Sequence, residues 1–286
     1  MIISAKKRSI FLALSLSFSL FFLSPILIIK FIKIQALEVP VKVFTPSSEQ
    51  YEPELQFLNS AITLEEFFLN TIQNDALSKI ESVRLADDLL RKRFFHGDAI
   101  ISAQDNWALY LFTFLSTKRG TSYYTSALHM DEILRSSHAI CNQQALLFQH
   151  LMRSIEIDFM PITFYIVGEG TSFGHFASAV QLGNDWYYVD TNLEPAHELE
   201  NKLVVPQLLQ SDIKMFKALY PDQLMADDTS ITEIPIGSIA ALPINIYAAK
   251  TGQWLQFLTR LISAYAWLFF LSTYILGLVF FRVEKT

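Results

Sequence analysis

Cys141, His175 and Asp190 have the residue types and spacing from which covalent chemistry could be built. Cys141 is the single cysteine of the 286-residue chain and lies in SHAICNQQALLF, residues 137–148. Cys141, Ala145, Phe148, Met152 and Ile155 step by four, three, four and three, so they share one face of a helix. Ser136 or Ser137 is placed to cap its start. A cysteine in the first turn lies where the positive end of the helix dipole favours a thiolate, the nucleophilic form of the side chain. Taken alone, Cys141 is better explained as a small apolar residue packed on that face.

The segment downstream changes that reading. FMPITFYIV (159–167) reads as a buried strand, and HFASAVQL (175–182) and DWYYVD (185–190) read as two strands joined at Gly183-Asn184, a hairpin signal. With that turn, Leu182 faces Asp185, Ala177 faces Asp190 and His175 faces Asn192. Side chains alternate across a sheet, so His175 and Asp190 become diagonal neighbours on one face, within reach of a hydrogen bond. A three-residue loop would break this register. Singly, His175 could be a polar residue opening a strand and Asp190 could simply end one. Together with Cys141 they make a Cys-His-Asp set. The histidine takes the thiol proton and later passes it to a leaving group, while the carboxylate holds the imidazole tautomer.

The elements that must carry these residues form an α+β pattern, helices first and antiparallel strands after. Residues 39–54, with three prolines, read as a linker. Leu55 to about Phe95 has helical spacing, ending in RKRFF (91–95), a charge run expected to be a solvated helix end. DNWALYLFTFL (105–115) reads as a further apolar helix capped by Asp105 or Asn106, and KRGTS (118–122) as a loop. Residues 203–226 return to helical spacing, and 230–248, with Pro235 and Pro243, read as irregular.

Two apolar runs flank this region. Ser9 to Ile29, preceded by Lys6, Lys7 and Arg8, is long enough to cross a bilayer and lacks a cleavage site, so it reads as an uncleaved anchor that Pro25 could kink. Leu261 to Phe281 is a second span, with Tyr265 and Trp267 near its start and Arg282 and Lys285 after it. The expected arrangement is a 9–29 anchor, a 39–54 linker, a 55–248 domain and a 261–281 membrane helix. Both termini are placed in the cytoplasm and the domain on the outer, periplasmic or extracellular side of the cytoplasmic membrane.

The net charge of −6 is dispersed, so no nucleic-acid surface is expected. One cysteine excludes an internal disulfide and a Cys-x-x-Cys site. His129, His138 and His150 bracket Cys141 but match no zinc spacing, and no metal or other cofactor is expected. His96 and His197 read as surface or loop residues.

At CNQQALLFQHLMRSIEI and GHFASAVQLGNDWYYVDTNLEP the chain resembles the transglutaminase-like superfamily of papain-type thiol enzymes, as a membrane-anchored bacterial-type member. The resemblance runs from about Leu85 to Pro195, with a core motif over 85–195. It implies a transglutaminase-like (papain-like) α+β fold, with Cys141 as nucleophile, His175 as general base and Asp190 as orienting acid. The chain departs from many relatives in having Ile140 where glycine precedes the cysteine, and Ala177 where a tryptophan follows the histidine. The natural first oxyanion donor is the backbone N–H of Cys141, with Trp107 and His138 as candidates for a second.

Three functions compete. The first is a membrane-anchored thiol enzyme cleaving amide or peptide bonds by hydrolysis, a cysteine protease or amidase, with envelope proteins or cell-wall peptides as substrates; resolution by an amine would make it a transferase. The second is a non-catalytic module of the same fold that binds peptides or assembles a membrane complex. The third is a transport or assembly subunit, which is disfavoured because neither span carries an ionisable residue at its centre.

Overall fold

The computed structural model describes residues 5–32, 50–116, 122–168, 171–192, 230–232 and 248–283. The chain divides into two compact units, one drawn from 40–100 and 127–250, the other from 1–39, 101–126 and 251–286. The stretch 55–248 expected to form one domain is therefore interrupted, because residues 101–126 group with the two apolar helices.

The first unit is α+β. A short 3₁₀ helix (Pro53–Phe57) takes up the end of the expected linker. The rest of that linker, 39–49, lies outside the described residues. Helices α2 (Ala61–Asp75) and α3 (Lys79–Arg93) each begin with a reciprocal cap, Ser60 with Thr63 and Ser78 with Glu81. The long helical run expected from Leu55 breaks between them at Ala76, which closes α2 in the left-handed region at φ 51°. Phe68, Val83, Ala86 and Leu90 point into the core. Strand β1 (Phe95–His96) pairs in parallel with β2 (His138–Ala139), which follows α6 (Met130–Arg135).

Helix α7 (Cys141–Ser154) buries Ala145, Leu147, Phe148, Leu151 and Met152. It packs on α2, α3, α6 and strand β4 (Thr171–Leu182). The periodic face beginning at Cys141 is thus a core face, worth about 1.5–3 kcal/mol for each large side chain removed from water. Strand β4 is central in an antiparallel sheet ordered β5-β4-β3-β6, with β3 at Phe159–Gly168, β5 at Asp185–Val189 and β6 at Ser230–Thr232. The β4–β5 register pairs Leu182 with Asp185 and continues to Ser178 with Val189, the register expected from the turn. Gly183 makes that turn in the left-handed region at φ 68°. Residues 230–232, expected to be irregular, form an edge strand on β3. The helical spacing of 203–226 and the loop at His197 fall outside the described residues.

The charge run RKR at 91–93 is not a solvated end. Arg93 is only 1% exposed, and its guanidinium donates to the carbonyls of Leu58, Leu134 and Ser136. Arg91 forms a two-pronged ion pair with Asp87. Lys92 alone reaches out, to Glu52 and Asp88.

The second unit contains α1 (Ala5–Ile32), α4 (Trp107–Ser116), α5 (Ser122–Thr125) and α8 (Ala248–Val283). Lys6–Ile28 within α1 and Gly252–Phe281 within α8 are each long and apolar enough to cross a membrane. The two helices pair along their length. Phe11 meets Phe281 edge-on, Phe18 and Phe22 stack on Phe270, and Ser19 donates to the carbonyl of Trp267 at 3.0 Å. Gly277 makes this approach possible, since a Cβ there would lie 3.0 Å from Leu12.

Candidate functional site

Cys141 is the first residue of α7, and Ile140 precedes it in extended conformation. Neither Ser136 nor Ser137 caps the helix, because His138–Ala139 are drawn into the parallel pair with β1. Gln143 does that work from inside. Its Oε1 accepts from the backbone N–H groups of Ile140 (3.1 Å) and Ala99 (3.0 Å). Its Nε2 donates to Asp98 Oδ1 (3.1 Å) and to the carbonyls of Ala99 and Ala127 (both 3.0 Å). One buried amide therefore fixes where α7 starts. Gln143→Leu is expected to leave several buried backbone groups without partners and to destabilise the protein by about 3 kcal/mol, read as a lowered thermal midpoint of the detergent-solubilised chain.

His175 lies on β4 and Asp190 directly after β5, one position past the last rung of the ladder. Both are buried. His175 Nε2 and Asp190 Oδ2 are 2.7 Å apart. The other carboxylate oxygen, Oδ1, accepts the backbone N–H of Asn192 at 3.0 Å. Arg91 Nη2 donates to the Asp190 carbonyl at 3.0 Å, tying α3 to the end of β5. On its other side His175 is close enough to Cys141 for the thiol to help raise its pKa. With Nε2 occupied by the carboxylate, Nδ1 is the nitrogen left for the thiol. The structure thus brings the three residues together.

Electrostatics favour a charged imidazole. Burial alone would lower the pKa of His175. The negative charge and hydrogen bond of Asp190, with further contributions from Cys141, outweigh it and raise the value to about 10. Gln149 Nε2 donates to Ser178 Oγ at 3.2 Å, linking α7 to β4 two turns beyond the cysteine.

Two polar residues beside the set were not singled out from the sequence. Asn192 Nδ2 donates to the carbonyl of Ala139 at 3.3 Å, an oxygen that also accepts from Gln144 Nε2. His96, expected at the surface, is half-buried on β1. Burial is the largest influence on it and pulls its pKa down, joined by the charge of His175 and opposed by the Asn192 side chain and the charge of Asp190. The available signal was the polar pair Asn192 and His96, each adjacent to a strand that carries or precedes a site residue.

Of the two candidates for a second oxyanion donor, Trp107 is engaged elsewhere and His138 keeps one ring nitrogen, Nδ1, on a neighbouring hydroxyl. Trp107 belongs to the other unit, where its indole N–H donates to the Ser263 carbonyl at 3.2 Å. His138 Nδ1 faces Ser137 Oγ at 3.0 Å, and its ring lies tilted against Phe95. His150 engages Glu65 at 2.9 Å. Compared with known proteins, the chain matches no protein-family model and no curated protein.

Proposed function

We propose that this chain is a membrane-anchored thiol enzyme of transglutaminase-like type that hydrolyses amide or peptide bonds through Cys141, His175 and Asp190. The observation that carries the reading is the position of His175, bound through Nε2 to a buried carboxylate and within electrostatic reach of the cysteine at a helix start. Cys141 Sγ attacks the carbonyl carbon while its proton resides on His175. The backbone N–H of Cys141, in the first turn where N–H groups lack helical partners, faces the developing oxyanion. The imidazolium gives its proton to the departing amine, leaving an acyl-thioester on Cys141. Water then loses a proton to His175 and attacks the thioester. The acid leaves and the proton returns to the Cys–His pair. Asp190 compensates the imidazolium charge throughout.

Lys6, Lys7 and Arg8 before the first apolar run, with Arg282 and Lys285 after the second, favour cytoplasmic termini and a domain on the outer face of the cytoplasmic membrane. Protein or peptide substrates of the envelope suit that position.

The test is the pH profile of Cys141 alkylation by iodoacetamide, with His175→Ala as control. Fast labelling that persists near pH 6, below the ordinary thiol pKa of about 8.5, and is lost in the variant is the expected result. Slow labelling that the substitution leaves unchanged would make Cys141 a packing residue and favour a non-catalytic binding module.

A further inference from the structure

Helix α4 has the composition of a core helix but not its surroundings. Its sequence is WALYLFTFLS, with no charge. Leu111 and Phe112 are exposed, and Phe114 and Leu115 are 77% and 73% exposed. Solvent-facing apolar side chains at this density, on a helix this short, mark a surface that something apolar covers.

The N-terminal end of α4 is fastened to the second candidate span. Asn106 is fully buried. Its Nδ2 donates to the Gln256 carbonyl (3.0 Å) and to Thr259 Oγ1 (2.9 Å). Its Oδ1 caps α4 by accepting the Leu109 N–H and also accepts from Ser263 Oγ. Ser263 Oγ accepts the Ala108 N–H at 3.0 Å, and Trp107 Nε1 donates to the Ser263 carbonyl. The Phe22 ring of α1 lies 6.0 Å from Trp107. Gln256, Thr259 and Ser263 are spaced i, i+3 and i+7, so they form one polar stripe along α8, and all three are buried.

This arrangement meets a specific demand. Hydrocarbon offers no hydrogen bonds, so a helix that begins inside a bilayer needs its first N–H groups satisfied by protein. In α4 the N–H groups of Ala108 and Leu109 have side-chain acceptors. The residues that anchor it, 256–263, lie within Gly252–Phe281, at the start of that span. Phe114 and Leu115 are exposed apolar side chains, as are Trp254, Phe257 and Leu258 of α8.

We propose that α4 is itself embedded in the bilayer, beside the first turns of the second span, with Leu111, Phe112, Phe114 and Leu115 covered by lipid acyl chains. It is then a third membrane element, too short to cross, whose polar edge is spent on α8. The placement does not depend on what Cys141 does.

The test uses the full chain in phosphatidylcholine vesicles with Cys141 replaced by serine. Single cysteines are introduced as Phe114→Cys or Leu115→Cys and labelled with bimane. Phe280→Cys, in the second span, and Asp75→Cys, at the exposed end of α2, are references. Brominated acyl chains are expected to quench both α4 labels to the degree seen at position 280, with no quenching at position 75. Labels at 114 and 115 that behave as at position 75 would overturn the proposal. So would a blue-shifted emission that brominated lipid does not quench, since it would mean that protein covers the face.

Discussion

Asp190→Asn is expected to collapse the charge state of His175 while leaving the hairpin in place. An amide can still accept a hydrogen bond from the ring, but it carries no charge to offset burial. The pKa of His175, held at about 10 chiefly by Asp190 against the opposing effect of burial, then falls by several units. Cys141 loses its imidazolium partner at neutral pH, and under the proposed mechanism acyl transfer drops by about 10²–10⁴-fold. The ring titration followed by NMR separates this from unfolding. Stability supplies a second reading. A histidine whose folded pKa is raised above the unfolded value of 6.5 stabilises the native state fully below pH 6.5, and that contribution is lost as pH rises towards 10. The wild-type chain should therefore weaken across that window, and Asp190→Asn should lose the slope. A variant that retained both the high titration and the slope would mean that Asp190 is not the group charging the ring.

Arg93→Met is expected to be the most destabilising change in α3. The methionine fills part of the space of the arginine stem but donates nothing. The carbonyls of Leu58, Leu134 and Ser136 lose their guanidinium donors, and the first two belong to residues with no exposed surface. The expected cost is about 4 kcal/mol, seen as a fall in the thermal midpoint. Lys92→Met, one position away, is the control. Its side chain is a third exposed and its ammonium pairs with Asp88 and Glu52 at the surface, so a change of about 0.5 kcal/mol or less is expected. Equal effects at the two positions would mean that the Arg93 contacts contribute nothing beyond helix-end charge.

These neighbours show where sequence patterning stops being informative. Three cations at a helix end satisfy the dipole in the same way, and nothing local distinguishes the one that turns inward. That choice is made by carbonyls at Leu58 and Leu134, far along the chain. The β4–β5 hairpin was legible because its signal is local: a glycine turn and a period of two fix the register of every rung. The helix at Cys141 was legible through its apolar face, whereas its cap was not. The serines compete with strand pairing of His138–Ala139 and lose, and the cap comes from Gln143, whose partners include residues more than forty positions upstream. Helix α4 was recognisable as a helix, but ten uncharged residues carry no label for the medium that surrounds them. The polar stripe of Gln256, Thr259 and Ser263 was the overlooked clue, because such residues in an apolar span require a partner.

The chain departs from the α+β unit after residue 100 and rejoins it at Ala127, and the two points are stitched together. The Ala127 N–H donates to the Ala99 carbonyl at 2.7 Å, and Gln143 Nε2 bridges the carbonyls of both alanines. The excursion between them is thereby closed at its base. The entropy of bringing its ends together is met by bonds that the α+β unit makes for its own sake, and each doubling of loop length would cost only about 0.6 kcal/mol more. Residues 101–126 consequently behave as a cassette. Their length can change at little cost while β1, β2 and the start of α7 keep their register.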